Sequence, residues 1–504
     1  MKTKIYTLLL MAAAMLGAAS CTPSLPDSPA LSKKAPVIYP DYKDVTIPCN
    51  IAPLTFEIKE KGATSFLTRF SVGDKELLLA GRDVTPSLEQ WRDLLSSFTK
   101  SGQIKVETYF EKDGKWYVNN PFYLKVSSDS IDNYLSYRLI PPSYVAYEKL
   151  DIVQRDLTSY DENVIYCNML VATEQKGQCI NCHHYKNYKT DNMQFHARQY
   201  LGGTFFVHDG KLSKLDLKTD STISAGVYPS FNPVYDVVAY SVNNTGQAFH
   251  TVHSNKIEVQ DAASDLILYN PVKNTVSHIS NGANDLEVFP CWSADGRTLY
   301  YCCAHFEIKD TANTVVKEEI MRYREIKYDI LARRWNPETY EFSEPDTIFA
   351  CSQKGKSATL PRVSPDGRRM LFALGEYGCF HVWHKDADIY MLDLATGDAR
   401  PLTKSNSDEA ESYPTWSSNG KWVMFSSRRE DGNYTRVYIA HVEPDGRTTK
   451  AFILPQRTPA FYPLFEKSFN RPEFMIEPVQ FTPAEAVEVL SGEAMKVTYT
   501  ENCK

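Results

Sequence analysis

Tyr413-Pro-Thr-Trp-Ser-Ser-Asn-Gly420, followed by Trp422-Val-Met-Phe-Ser426, decides the fold. An apolar strand ends at an Asn-Gly pair, which supplies the positive φ angles of a tight hairpin, and a β-rich strand returns from it. The same unit stands upstream as Tyr228-Pro-Ser-Phe-Asn-Pro-Val-Tyr-Asp236, as Phe289-Pro-Cys-Trp-Ser-Ala-Asp-Gly296 and as Leu360-Pro-Arg-Val-Ser-Pro-Asp-Gly367. A third strand follows in Leu266-Ile-Leu-Tyr269 and in Ile389-Tyr-Met-Leu-Asp393. A further turn at Ala395-Thr-Gly397 leads to an outer strand near Pro401. Four antiparallel strands per unit, repeated, predict the blades of a β-propeller, whose radial repetition protects strand edges.

These units resemble TolB-type, WD-like repeats over about residues 223–455. The resemblance implies a TolB-like propeller across 202–476, with five or six blades and seven as the upper bound. Gly202-Gly-Thr-Phe-Phe-Val-His-Asp-Gly210 to Leu217 reads as further outer strands. Ala460 to Phe474 is expected to complete that blade and close the ring. The remainder, 477–504, opens on a capping-box helix at Thr482-Pro-Ala-Glu485 and ends in a tail.

The chain is mainly β throughout. Residues 37–145 alternate in strand fashion at Leu54-Thr-Phe-Glu-Ile58, Gln103 to Tyr109 and Phe122 to Val126. One helix is predicted after Thr85-Pro86, with Trp91, Leu94, Leu95 and Phe98 on one face. An immunoglobulin-like β-sandwich is the natural reading of this stretch. Residues 146–201 then form a segment between sandwich and propeller.

That segment holds Cys179-Ile-Asn-Cys182-His183, the Cys-x-x-Cys-His spacing of covalent c-type haem attachment. Each thiol can add to a haem vinyl group, and the imidazole next to Cys182 can take the iron as proximal ligand. Disulfide, thiol-redox and zinc readings compete. A four-Cys zinc site needs a second close pair, and Cys302-Cys303 is vicinal and badly spaced. His196 and Met193 are the candidate distal ligands, and Arg198 suits a haem propionate.

Met1-Lys2-Thr3-Lys4 is a basic start, Ile5 to Leu16 an apolar run too short to span a membrane, and Ala18-Ala19-Ser20-Cys21 follows. This resembles a bacterial lipoprotein signal over 1–20, which implies that Cys21 becomes an acylated first residue and 21–36 a tether. Eleven cysteines suit an exported chain, and a net charge of −7 with scattered basic residues excludes a nucleic-acid partner.

Loops between the second and third strands of each blade leave one face of the ring. They carry His250, His253, His305, His381 and His384, then Arg428 and Arg429. Convergent imidazoles there would hold a second metal. Some TolB-like enzymes, such as oligogalacturonate lyases, place a metal on such a face.

The order of signal, β-domain, Cys-x-x-Cys-His and repeats resembles cytochrome-like envelope lipoproteins of Gram-negative bacteria. Tyr137-Arg-Leu-Ile-Pro-Pro-Ser-Tyr144, His196-Ala-Arg198 and Asn470-Arg-Pro-Glu-Phe474 carry the likeness beside the haem motif. It implies a lipid-anchored protein of the cell envelope, at the outer membrane, with one haem c. The expected function is electron transfer or redox sensing with a periplasmic or membrane partner, the propeller acting as docking module and not as an enzyme. Two alternatives stand beside it: a non-catalytic envelope binding or assembly protein, and a metal-dependent, lyase-like propeller enzyme acting on an exported polymer.

Overall fold

The computed structural model describes residues 23–141, 149–173, 175–249 and 255–502. It is mainly β. Six antiparallel units of four strands stand around a common axis, the second and third linked by one parallel bridge at Ser264 and Leu286. Their innermost strands are β1 (Gln178–Lys186), β2 (Val227–Phe231), β3 (Asp285–Trp292), β4 (Ser357–Val363), β5 (Glu411–Trp416) and β6 (Ser468–Met475). Each packs against the next, and β6 packs back on β1, so the ring is closed.

One device recurs at the axis. In every inner strand two residues oppose one residue of the second strand: Cys182-His183, Tyr228-Pro229, Phe289-Pro290, Leu360-Pro361, Tyr413-Pro414 and Arg471-Pro472. The first residue of each pair has positive φ, from 48° at Tyr413 to 57° at Leu360. This is a bulge, which bends the strand toward the axis. Proline fits its second position because a bulge leaves that residue outside the ladder. The single residue opposite is always aromatic and fully buried: Phe195, Tyr240, Tyr301, Phe372, Phe425 and Tyr137. Three inner strands end at a Ser-x-Asp/Asn-Gly turn, where Ser293, Ser364 and Ser417 hydroxyls bond Asp295, Asp366 and Asn419.

Two expected boundaries shift. The strands at 178–199 are not a linker; with Gly203–His208 and Lys211–Asp216 they make the first sheet of the ring. The strand Tyr134–Ile140 is not part of a sandwich; with Asp151–Asp156 and Glu162–Cys167 it joins β6. Ring closure therefore pairs Ser468–Met475 with 134–167, not with 203–217. The sequence hides this because neither inner strand ends at an Asp-Gly turn.

The C-terminal helix, Pro483–Ser491, has the expected capping box at Thr482 and Glu485 and packs between the first and last sheets. Beyond it, Met495–Lys496 pairs with Lys211–Asp216, and Thr498–Tyr499 with Thr275–Ser280. The tail thus covers two outer edges that would otherwise be open to pairing.

Residues 30–127 form a seven-stranded and a three-stranded sheet over one core, with the helix Leu88–Leu95 closing it. Trp91 is fully buried, as its position on the apolar face requires, and its indole donates to the Ile51 carbonyl at 3.0 Å. Two of the pairings are parallel: Ala30–Leu31 with Lys115–Val118, and Phe122–Ser127 with Thr46–Pro48. This unit docks on the fifth sheet, where Asp132 accepts from the Ser418 amide at 2.7 Å and Asp129 meets the His441 ring at 2.9 Å.

Candidate functional site: an arginine-lined axial cavity

Because inner strands run alike, their starts share one mouth of the axis and their turns the other. The first mouth holds a cavity of about 290 Å³. It lies on the face from which the second-to-third-strand loops emerge. Cys179 and Cys182 of β1 both open into it. So do Arg138, Arg198, Arg428 and Arg471, while Tyr228, Phe380, Trp383 and Tyr413 supply aromatic wall.

Each arginine is placed by its strand. Arg198 stands directly opposite Cys179 in the β1 hairpin. Arg138 donates to the Ile180 carbonyl at 2.8 Å and to Asn470 at 3.0 Å, and its buried Nε has no hydrogen-bond partner. Arg428 lies 3.3 Å over the Trp383 ring. Arg471 occupies the bulge of β6, where other inner strands carry Cys, Tyr, Phe or Leu.

Glu473 fixes Arg471 from behind. It accepts from Arg471 Nε at 3.3 Å and from Arg362 at 2.6 Å, and sits 3.4 Å from the His184 ring. Burial raises its carboxyl, but Arg362, His184 and Arg471 outweigh that and hold it far below the usual range. Together with the ring of prolines these charges narrow the axis to a waist of about 20 Å³.

The haem motif meets this geometry only in part. Two thiols suit the vinyl groups, and four arginines suit the propionates. The imidazole does not fit. His183 is not part of the cavity wall; it is buried against Tyr185, with ring centroids 6.3 Å apart. Both its nitrogens lack a partner, and burial, helped by Arg471, pushes its pKa down to about 3. A strand and its bulge, rather than a helical turn, carry the motif, so Cys182 and His183 diverge.

The distal candidates also lie elsewhere. Strand alternation sends Met193 into the core with Ile180, Phe195 and Phe205. His196 faces the second sheet, 3.2 Å from the Thr204 hydroxyl, and burial pushes its pKa down to about 3. Both are buried and neither lines the cavity, because the hairpin folds them back along their own sheet. A Cys179–Cys182 disulfide is excluded in this conformation. It needs Cα atoms within about 7 Å, and three strand residues span about 10 Å.

Among the described residues the imidazole cluster does not form. His305 is exposed and pairs with Asp285 at 2.8 Å and Glu307 at 3.3 Å. His381 is fully buried, near the Thr359 hydroxyl and the Tyr377 and Gly378 carbonyls. His384, also buried, meets Glu258 at 2.9 Å. His250 and His253 fall outside the described residues. Among the described residues no group of three or more His, Cys, Asp or Glu is placed to hold a metal ion. Their loop carries His381 and His384 into packing rather than onto the mouth, and Arg428 and Trp383 take the wall positions instead.

No family model and no curated protein matches this chain. Among solved structures, an oligogalacturonate lyase in complex with manganese is 13% identical, with 69% of this chain and 87% of that chain covered and a TM-score of 0.30. A Niastella koreensis GH74 enzyme is 11% identical, with 63% and 44% covered and a TM-score of 0.36. The tricorn protease is 11% identical, with 79% and 39% covered and a TM-score of 0.32. The chain thus spans under half the length of the last two. At these scores the likenesses assign nothing to this chain.

Proposed function

We propose that this is an envelope protein, anchored through Cys21, whose ring binds a carboxylate-bearing ligand in the axial cavity. The ring is read as a six-bladed TolB-like β-propeller, and the N-terminal unit as a variant of the immunoglobulin-like sandwich. One observation carries the proposal: Arg138, Arg198, Arg428 and Arg471 meet aromatic wall in one cavity. Arginine pairs with planar carboxylates in fixed geometry, and aromatic faces suit the apolar faces of sugar rings or porphyrins. A uronic-acid segment of an exported polymer meets both demands. Lyase-like cleavage would be the enzymatic form of this reading.

The test is a titration of reduced protein with a galacturonate oligomer, followed through the fluorescence of Trp383. A galactose oligomer of equal length serves as the neutral control. Binding of the acidic oligomer alone is expected, weakened by salt and by Arg198→Gln. That substitution removes a charge-assisted contact of about 1.5 kcal/mol, roughly tenfold in Kd. Equal binding of both oligomers, or of neither, refutes the reading. Rising ultraviolet absorbance from an unsaturated product would mark the lyase.

The shared cavity of Cys179 and Cys182 favours a second reading, haem c in an electron-transfer or redox-sensing protein. Haem supplies redox chemistry when bound; here the two thiols would anchor it and the arginines would hold its carboxylates, while none of the described histidines lines the cavity to ligate its iron. A haem stain of denatured protein, matured by a c-type system, decides it. A stained band would replace the uronate by haem as the ligand.

A further inference from the structure

We propose that Cys179 is a modification site for anionic low-molecular-weight disulfides such as oxidised glutathione, and that the product stays a mixed disulfide. This rests on the cavity binding carboxylates and adds the reaction that its thiols perform. Cys179 is partly exposed, Cys182 buried, and both face the four arginines. A glutathione half carries carboxylates for the arginines and a sulfur for the thiol.

The step balances without another oxidant. The Cys179 thiolate attacks one sulfur of the disulfide, a new S–S bond forms, the old one breaks, and the departing thiolate takes up the proton that Cys179 released. In a helical Cys-x-x-Cys pair the second thiol would then expel the adduct. On β1 it cannot, because the two Cα atoms lie too far apart for a disulfide. The adduct therefore persists.

Cys49 is an internal control. It is also partly exposed, its Sγ is 3.8 Å from the Ser128 carbonyl, and its charged neighbour is Asp129 rather than an arginine. An anionic disulfide should favour Cys179, and a cationic one Cys49.

Reduced full-length protein is incubated with oxidised glutathione or with cystamine, then digested and read by mass spectrometry. The expected result is one glutathionyl adduct on the Cys179 peptide, formed on the order of tenfold faster than the cystamine adduct there, with the order reversed at Cys49. Salt and Arg198→Gln should each shrink the preference. Loss of two hydrogens from the Cys179–Cys182 peptide would overturn the persistence claim. Equal rates for the two reagents would overturn the site. If the galacturonate oligomer binds but no preference is seen, this inference alone fails. If neither binds nor reacts selectively, the cavity reading fails with it.

Discussion

His183→Pro should leave the ring folded and close to its original stability. The substitution reads oddly for the histidine of a haem motif, yet the structure dictates it. His183 holds the second bulge position of β1, and the other five inner strands carry Pro229, Pro290, Pro361, Pro414 and Pro472 there. Pairing of β1 passes from Asn181 to His184, so proline meets the same ladder as its five counterparts. Removing an imidazole with two buried, unpartnered nitrogens relieves a cost of about 1–3 kcal/mol. A compatible proline adds about 0.4–1 kcal/mol through the unfolded chain. Against this stands the lost contact with Tyr185, about 0.5–1.5 kcal/mol, and some lost packing. The ring contact and the lost packing offset much of the gain, and a change of no more than about 2 kcal/mol, of either sign, is expected. Urea unfolding of wild type and His183→Pro, with Pro229→His as the reverse exchange, measures it. A loss above about 3 kcal/mol with an unchanged m-value would refute the equivalence of the six bulges. It would mean that His183 has a partner essential to the fold.

Three other outcomes follow from particular groups. His183, His196 and His381 are each pushed down to about 3 by burial, so the unfolded chain binds their protons first. Stability should be full above pH 6.5 and fall as pH drops toward 3, each histidine adding up to about 1.4 kcal/mol per pH unit; His196→Gln should flatten the slope by about one proton, and a flat profile between pH 6 and 4 would contradict the burial. Glu258→Ala strands His384 beside Tyr377 and should cost about 3–5 kcal/mol in urea unfolding, whereas no loss would show that the pair is not buried in solution. Cys21→Ser should abolish acylation of the mature N-terminus in mass spectrometry, and an unmodified terminus beyond Cys21 in the wild type would remove the anchor.

Four sheets of the ring are legible because their inner strands keep proline and an Asp-Gly, Asn-Gly or Asn-Pro turn. The first and last sheets are not. In β1, Cys182-His183 replaces the apolar-proline pair, and the motif drew attention to haem instead of to the bulge. In β6, Arg471-Pro472 keeps the proline, but its sheet partners lie more than three hundred residues upstream, a pairing that local pattern cannot reveal. The aromatic opposite each bulge was a usable signal: Tyr137 and Phe195 fill the places of Tyr240, Tyr301, Phe372 and Phe425. Loop topology sends the second-to-third-strand loops to the mouth that holds the cavity, and Arg198, read from sequence as a propionate partner, stands opposite Cys179. Which loop residues form its wall depends on packing: His381 and His384 turn inward to Thr359 and Glu258, leaving Trp383 and Arg428 at the mouth.

The most direct test of the central claim is a crystal structure of the reduced protein grown with the galacturonate oligomer. Electron density for the oligomer should fill the axial cavity, with carboxylates within hydrogen-bond distance of Arg198 and Arg138 and a ring face on Trp383. An oligomer bound at the opposite mouth, beside Arg362 and Trp416, or an axial cavity holding only water at saturating oligomer, would contradict it.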